Sequence, residues 1–304
     1  LNPSTTSTFS TTSTMLSTGY FGPDTITWQL YREPYPIVGG VRALLLQIAH
    51  PAVAEGVARY SNFQSDPFGR GFRTFKAMAN IYFGDRQQAE QTAQRLNKIH
   101  SGIKGQYPAA SAEVPFVATD PGLLLWVLST LTDTTIRVFE QMPVPGLPAD
   151  WRERFYEESK ITARLMGIPE AAYPADLLAF RIYFDSMLNG DLLGSTPACR
   201  AMAQAIVRHP KAPGKWLDRF AAGWMPDALC ERLGITTRTD SAQRLAKIMR
   251  RARGFFLLIP RTLRFNPAYH QAMLRIARAN GKPAPLAGQF FNWLSRNTSI
   301  PFGL

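Results

Sequence analysis

The stretch Val41–Val57, VRALLLQIAHPAVAEGV, decides the fold of this 304-residue chain. It opens after Gly39-Gly40, is strongly apolar and is long enough to form a buried helix. Pro51 stands inside it, directly after His50. Proline removes a backbone donor from a helix interior, so we expect the helix to kink there or to restart with Pro51 in its first turn. The segment predicts a bent helical element in the core.

Helical periodicity dominates the rest of the chain as well, and alternating strand patterns are nearly absent. Asp85 is predicted to cap a helix that begins at Arg86, and Ser65–Gly69 is predicted to be a turn. Besides the bent element, the predicted helices are Thr25–Tyr31, Gly71–Phe83, Arg86–Ile103, Pro121–Gln141, Asp150–Met166, Pro174–Asn189, Thr196–Val207, Pro213–Trp224, Asp227–Leu233, Ser241–Phe256 and Pro267–Asn280, followed by a loop-like C-terminus.

This pattern predicts an all-α fold of roughly a dozen helices in a single globular domain. No internal repeat or linker divides the chain, so the domain is assigned to residues 19–304. Residues 1–18 are rich in serine and threonine, and we interpret them as a disordered or artificial tail. Hydrophobic residues make up 45% of the chain, which is enough for a sizeable core without disulfides.

The two cysteines, Cys199 and Cys230, lie far apart and form no C-x-x-C spacing. This argues against a disulfide framework, a zinc site and an iron–sulfur cluster, and is typical of a reducing compartment. The longest apolar runs fall short of the roughly 18 residues of a membrane span, and no secretory signal is visible. We therefore expect a cytoplasmic protein.

The formal net charge is +12, which favours acidic partners. The basic residues are scattered over helical faces, with one concentration at Lys247, Arg250, Arg251 and Arg253, just before the apolar run Gly254–Pro260. A solvated surface is the simplest interpretation. A peripheral membrane contact or a partner-docking patch is the alternative, because basic residues beside an apolar edge are typical of interfacial segments. No nucleic-acid partner is expected, since no binding module accompanies the charge.

Four histidines are present, and two of them, His209 and His270, are predicted to lie at the surface. His50 ends the LLLQIAH segment and has two interpretations. It is either a buried residue bonded to backbone at the helix kink, or a residue that contacts a cofactor or substrate, for example as a second axial ligand. The local sequence does not decide between them.

His100 shares a predicted helical face with Leu96 and Ile103. A histidine in such a stripe is typically a satisfied core residue. A haem site, however, needs little more than one neutral imidazole on a helix and an apolar slot. Non-haem metal chemistry is disfavoured, because no H-E-x-x-H motif and no adjacent carboxylate accompany this histidine.

Upstream of His100 lies a compact polar set, Arg70, Arg73 and Thr74. In a helix, Arg70 and Thr74 share one face, and Arg73 projects close by. Two guanidinium groups and a hydroxyl suit haem propionates or a bound oxygen species. Capping and surface roles are the plainer alternative.

Several strings, in this order, resemble the rubber-oxygenase/MpaB-type family, which includes the haem-dependent latex clearing proteins. They cover nearly all of the chain after residue 18, and their shared order and spacing are specific. They are GYFGPDTITWQLYREPYPIVGGVRALLLQIAHPAVAEGV, SDPFGRGFRTF, FGD, the H-x-x-x-x-G element His100–Gly105, LLWVLSTLTDTTIRVFE, YEESKITARLMGIP and LIPRTLRFNP.

The resemblance implies a b-type haem held between central helices, with His100 as the proximal iron ligand. Arg70 and Thr74 match the family's R-x-x-x-T pair near the distal side. Arg73 stands where latex clearing proteins have a lysine that caps the iron. A guanidinium stays protonated and does not readily donate a lone pair to iron, so here we expect a hydrogen-bond donor or a propionate partner. Glu55 is the only carboxylate near the family's pocket glutamate, and its role stays open.

The activity that the resemblance implies is oxygenation. A haem b-dependent oxygenase would activate O₂, take electrons from an unidentified donor and oxidise or cleave a small apolar, isoprenoid-like alkene, with Arg70, Arg73 and Thr74 as catalytic residues. Polymeric rubber is disfavoured as substrate, since the export signal of the rubber-cleaving members is absent. The alternatives are a haem protein with a peroxidase-like, sensing or electron-transfer role, and a cofactor-free, membrane-associated lipid-binding protein.

Overall fold

Fourteen α-helices run through the part of the chain that the computed structural model describes, residues 19–61, 67–109, 112–209 and 222–297. They are α1 (Ile26–Tyr31), α2 (Tyr35–Ala49), α3 (Pro51–Tyr60), α4 (Pro67–Phe83), α5 (Arg86–Ser101), α6 (Pro121–Gln141), α7 (Trp151–Leu165), α8 (Leu177–Asn189), α9 (Pro197–Val207), α10 (Asp227–Arg232), α11 (Ser241–Leu258), α12 (Arg261–Arg264), α13 (Pro267–Ala279) and α14 (Leu286–Asn297). The predicted all-helical class is confirmed.

One antiparallel hairpin interrupts the helices. Strand β1 (Lys104–Pro108) pairs with β2 (Glu113–Val117), with Lys104 opposite Val117. This hairpin was not predicted from the sequence, because Gly105 and Pro108 were interpreted as the end of a helix. The alternation that marks it is short and mostly exposed, and among the five residues of β2 only Phe116 is buried.

The bent element at Pro51 is confirmed. Helix α2 ends at Ala49, α3 begins at Pro51, and their axes differ by 101°. Helix α2 begins earlier than predicted, at Tyr35 instead of after Gly39-Gly40, because Pro36 occupies its first turn, where a missing N–H costs nothing.

Helix α6 is the centre of the core and packs along α2. Gly39 permits the close approach, because a Cβ at this position would lie 2.5 Å from the Thr134 Cγ2. Trp126 donates its indole N–H to the Leu46 carbonyl at 3.1 Å and stacks on Phe184. These contacts bury more than half of α6, and they make α2 and α6 the frame on which the other helices pack.

Helix α6 is also, among the described residues, the one helix long and apolar enough to cross a membrane by length and composition. However, 72% of its apolar stretch is buried inside the protein. Its position in the core accounts for its composition.

Several predicted boundaries differ from the structure. Residues 67–69 belong to α4 and not to a turn, because Pro67 opens the helix. The C-terminus is not all loop: α14 covers Leu286–Asn297, and two prolines of this region, Pro283 and Pro285, precede the helix. Residues 210–221, most of the helix predicted at Pro213–Trp224, and the predicted tail 1–18 lie outside the described residues.

Candidate functional site

The helical hairpin formed by α4 and α5 carries most of the predicted site residues. The Asp85 carboxylate caps α5 by accepting from the Gln88 backbone N–H at 2.8 Å, and the Gln88 side chain accepts from the Asp85 N–H at 3.0 Å. This capping box was predicted in part, by Asp85 alone. Next to it, Ile81, Phe83 and Ala89 are fully buried, so the hairpin is firmly anchored at this closed end.

The opposite, open end of the hairpin is much less buried. It consists of residues 69–77 of α4 and 96–101 of α5, whose described side chains are all half-buried or exposed. Apolar groups share this exposure: Phe72 is 39% exposed and Ile99 is 51% exposed. Apolar surface next to polar groups is typical of a binding site.

One side-chain contact gives the register of the two helices. The Asn80 amide donates to the Thr92 hydroxyl at 3.5 Å. Eight residues from this contact toward the open end lie Phe72 on α4 and His100 on α5. Each residue advances an α-helix by about 1.5 Å, so equal offsets keep these two positions at the same level. His100 therefore lies level with the first turns of α4, which contain Arg73 and Thr74.

His100 lies on the side of α5 that faces the protein interior. Ala89, Ala93, Leu96 and His100 follow one another at helical spacing, and the two alanines are buried. His100 is half-buried at the end of this stripe. Leu96 shares this helical face with His100 as predicted, whereas Ile103 lies beyond Ser101, where α5 ends. Ligation of iron by His100 stays a prediction.

Helix α3 closes in where α5 ends. A Cβ on Gly56 would lie 3.3 Å from the Ile103 Cγ2, so this glycine lets the two segments touch. Glu55, the neighbour of Gly56, is largely buried and forms an ion pair with Arg59 at 3.6 Å. The carboxylate whose role was left open thus stands on the helix next to the hairpin's open end.

The structure separates Arg73 from Thr74. Arg73 precedes Asn80 by seven residues, which places it on the face of α4 that meets α5, and its side chain is exposed. Thr74 lines a cavity on another side of α4. Arg70 precedes Thr74 by four residues and shares its helical face, but the Arg70 side chain lies outside the described part of the chain.

This cavity has a volume of about 620 Å³ and lies between α2, α4, α6 and the C-terminal segments. Its wall is mostly apolar and includes Ala43, Leu44, Phe75, Met78, Leu131 and Phe291. None of the described residues that line it is a histidine, so His50 and His100 are not in its wall. The size and apolar character suit a small hydrophobic ligand.

One corner of the cavity is charged. Arg264 donates from Nη2 to the Glu33 Oε1 at 3.0 Å, and its Nε lies 2.8 Å from Oε2. Both side chains are nearly fully buried. Sequence reasoning missed this pair, because the two residues are 231 positions apart and no local spacing joins them. Since each charge neutralises the other, the corner is polar without carrying a net charge.

His50 is a helix cap in this structure. Its Nδ1 accepts from the Ala52 backbone N–H at 3.2 Å, and the residue is 7% exposed. In the neutral ring the proton then resides on Nε2. Burial lowers the pKa of His50 to about 4, although the Asp120 carboxylate acts in the opposite direction. The structure thus shows the hydrogen bond to backbone at the kink, and a contact with a cofactor stays a prediction.

This environment predicts a pH effect on stability. Below its ordinary pKa, His50 takes up a proton in the unfolded chain but stays neutral in the folded one, down to about pH 4. The free energy of unfolding should therefore fall by up to about 3 kcal/mol as the pH drops from 6.5 to 4, and stay unchanged above that window. Urea unfolding at a series of pH values measures it.

The matched variant is His50→Asn, because asparagine caps helices well and does not titrate in this range. We expect it to flatten most of this pH dependence, leaving a remainder from His270, whose pKa is also lowered by burial. An unchanged pH dependence in His50→Asn would show that the imidazole is not held neutral at the kink.

The prediction that His270 lies at the surface is wrong. His270 is buried, stacked at 5.1 Å on the Phe291 ring, which itself lines the cavity. Its Nε2 has no hydrogen-bond partner among the described residues. The sequence suggested a surface position because α14, the helix that covers His270 on α13, was not predicted. His209 is half-buried.

The donor set at the open end suits a haem better than a bare metal ion. The described residues contain no group of three His, Cys, Asp or Glu side chains that could hold a metal. A haem iron needs only an axial ligand from the protein, and His100 offers an imidazole. The exposed Phe72 and the half-buried Leu96 offer apolar surface for the macrocycle, and the exposed Arg73 and Lys98 offer cations for its carboxylates. These residues fit the group.

A helical domain with an apolar cavity beside a histidine-bearing hairpin defines a class of helical proteins that bind small hydrophobic ligands. Within it, residues 28–256 match the family described as "ER-bound oxygenase mpaB/B'/Rubber oxygenase, catalytic domain". The chain belongs to this family, whose description is that of an oxygenase catalytic domain. The resemblance seen in the sequence is confirmed.

Two curated relatives are similar to this chain, the uncharacterized protein Mb2261 of Mycobacterium bovis and the uncharacterized protein Rv2237 of Mycobacterium tuberculosis. Each is 26% identical over 153 residues, which is 48% of this chain and 58% of the relative. The chain thus matches little more than half the length of these relatives. No solved structure matches it.

Proposed function

We propose that this chain is a haem b-dependent oxygenase that uses O₂ to oxidise or cleave a small apolar, isoprenoid-like alkene. The observation that carries the proposal is the position of the first turns of α4. These turns lie at the same level as His100 on the neighbouring helix α5, and they also form part of the wall of the apolar cavity. One short segment thus borders both the proposed cofactor position and the proposed substrate position.

In this proposal His100 would hold the haem iron through an imidazole nitrogen, and the exposed Arg73 and Lys98 would pair with the propionates. Arg70 contacts the cofactor or the oxygen as well, as the family resemblance implies. When bound, the haem supplies O₂ activation and one-electron chemistry, which protein side chains lack.

The side chains around the cavity orient the substrate and exclude water. Leu44, Met78 and Leu131 form an apolar wall in which an alkene replaces water at little cost. Thr74 presents a hydroxyl donor on this wall, on the α4 turn nearest the level of His100. A preorganised donor of this kind stabilises negative charge that develops on oxygen.

The backbone contact of His50 bears on the electron-transfer alternative. Ligation of iron by His50 as a second histidine would need a free lone pair on its ring, but its Nδ1 accepts from the Ala52 N–H and its Nε2 then carries the proton. We therefore expect that His100, and not His50, would hold the haem iron.

An absorption spectrum of protein purified from haem-supplied cells tests the proposal. We expect a Soret band, and a shift of that band when carbon monoxide is added to the reduced protein, because an oxygenase needs an accessible iron face. A six-coordinate spectrum with no response to carbon monoxide would favour electron transfer instead. Protein that takes up no haem at all would refute the proposal and favour a lipid-binding role.

A further inference from the structure

Seven of the fourteen large apolar side chains that are exposed in the described part of the chain belong to helices around the mouth of the cavity. Two of them, Ile37 on α2 and Leu263 on α12, line the cavity and are more than 60% exposed, so they mark its mouth. Around them lie further exposed apolar residues of α11 and α14. We call this surface the mouth patch and define it by Ile37, Phe255, Leu258, Leu263, Leu286, Phe290 and Trp293.

Helix α14 contributes a continuous stripe to the mouth patch. Leu286, Phe290 and Trp293 follow one another at spacings of four and three residues, so they share one face, and all three are exposed. The rings of Phe290 and Trp293 are 6.4 Å apart. The neighbouring face of the same helix turns inward, where Phe291 and Leu294 line the cavity. The helix therefore borders the cavity and presents aromatic groups to the outside.

The charge of the chain is concentrated in the same region. From Ser241 to the C-terminus the sequence contains 11 basic residues and no acidic residue, so this part carries almost all of the net charge of +12. Exposed cations stand next to the mouth patch: Lys76 at the mouth, Arg261 between Leu258 and Leu263, and Arg296 one turn beyond Trp293.

We infer that the mouth patch docks on the surface of an anionic lipid bilayer. Aromatic and aliphatic side chains flanked by cations match a surface whose headgroups are negative and whose interior is apolar. Tryptophan at the edge of such a patch is typical of the headgroup region. The only carboxylate among the described cavity residues, Glu33, is buried and paired with Arg264, so it does not oppose this contact.

This orientation puts the cavity mouth against the bilayer. An apolar molecule dissolved in the membrane would then reach the cavity without crossing water, where its solubility is low. The docking itself does not rest on the proposed haem chemistry, since vesicle binding is measured without turnover. A failure of one proposal therefore leaves the other standing.

Flotation with phosphatidylglycerol-rich vesicles and with pure phosphatidylcholine vesicles tests the inference on the full chain. We expect binding to the anionic vesicles, weakened by added salt. Replacing two surface cations, Arg261→Gln with Arg296→Gln, should weaken that binding about tenfold or more. The fluorescence emission should shift to the blue on binding, and Trp293→Phe should reduce that shift while binding persists.

The decisive comparison uses two pairs of exposed apolar residues. Phe290→Ser with Trp293→Ser should abolish most vesicle binding. The matched control, Leu178→Ser with Ile182→Ser on α8, removes side chains that are 68% and 64% exposed and lie outside the mouth patch. It should bind like the wild type. Circular dichroism verifies that both variants are folded.

Absence of binding to anionic vesicles would overturn the inference. So would equal losses in the two double variants, because the mouth patch would then have no special role. If the Phe290 and Trp293 variant instead converts a dimer into a monomer in sedimentation velocity while vesicles are not bound, the patch contacts a second copy of the chain and not a membrane.

Discussion

Replacing His100 with alanine is expected to remove nearly all haem from the purified protein. In the proposed arrangement this imidazole forms the one bond between protein and iron, and apolar contact alone does not hold the macrocycle in a fixed orientation. The pyridine haemochrome content per chain and the Soret absorbance measure the effect. We expect a loss of about tenfold or more in haem affinity, which is the scale of a lost metal ligand or a lost partner of that ligand.

Two further variants make this result specific. His100→Gly leaves space for a free imidazole, so added imidazole should restore part of the Soret band, which general damage to α5 would not allow. His209→Ala removes a half-buried histidine elsewhere and should keep full haem content. An unaltered spectrum in His100→Ala would show that another group ligates the iron, and His270, whose buried Nε2 has no described partner, would be the next candidate.

The elements that the sequence predicted well are those with local signals at their ends. Helix α6 begins at Pro121 and ends at Gln141 as predicted, because the Asp120 carboxylate accepts from two backbone N–H groups of its first turn and Pro121 follows directly. The restart at Pro51 has the same origin. Caps and prolines act within a few residues, so a single sequence contains all the information that they need.

Other features depend on contacts between distant segments. The burial of His270 arises from stacking on Phe291 of a different helix, and the pair between Glu33 and Arg264 spans almost the whole chain. The mostly exposed β1–β2 hairpin has little hydrophobic alternation to reveal it. Such partners cannot be predicted from hydrophobic patterns, because a pattern contains only the periodicity of one segment at a time.

In the candidate site, too, the sequence predicts local geometry but not the contacts between distant segments. The spacing of Arg70, Arg73 and Thr74 predicts which of them share a helical face, and all three positions do belong to one helix, α4. It did not predict which face meets α5 and which borders the cavity, because the packing of α2 and α6 decides this. The cavity itself was not predicted, since its wall comes from five separate parts of the chain.

Replacing Asp133 with alanine should destabilise the fold more than any surface change. The Arg42 guanidinium lies 2.6 Å from the Asp133 carboxylate, with 1% of the arginine side chain exposed. Arg42 also donates to the Thr134 hydroxyl at 2.6 Å and to the Trp224 carbonyl at 3.1 Å. Burial lowers the pKa of Arg42 to about 10, against the opposite effect of Asp133, so without this carboxylate an uncompensated cation stays in the core. Breaking such a pair costs about 3–5 kcal/mol, which thermal or urea unfolding measures.

Arg137 supplies the matched control, because it contacts the same carboxylate at 2.9 Å but its side chain is 43% exposed. Arg137→Ala should change the free energy of unfolding by no more than about 1 kcal/mol. Replacing both core partners, Arg42→Met with Asp133→Leu, should recover much of the stability lost in Asp133→Ala, because the unpaired charge is gone. If Asp133→Ala costs no more than Arg137→Ala, the buried pair does not hold α2 to α6. Loss of the buried pair would also affect the proposed substrate site, because Gly39 of α2 and Thr134 of α6 line the cavity.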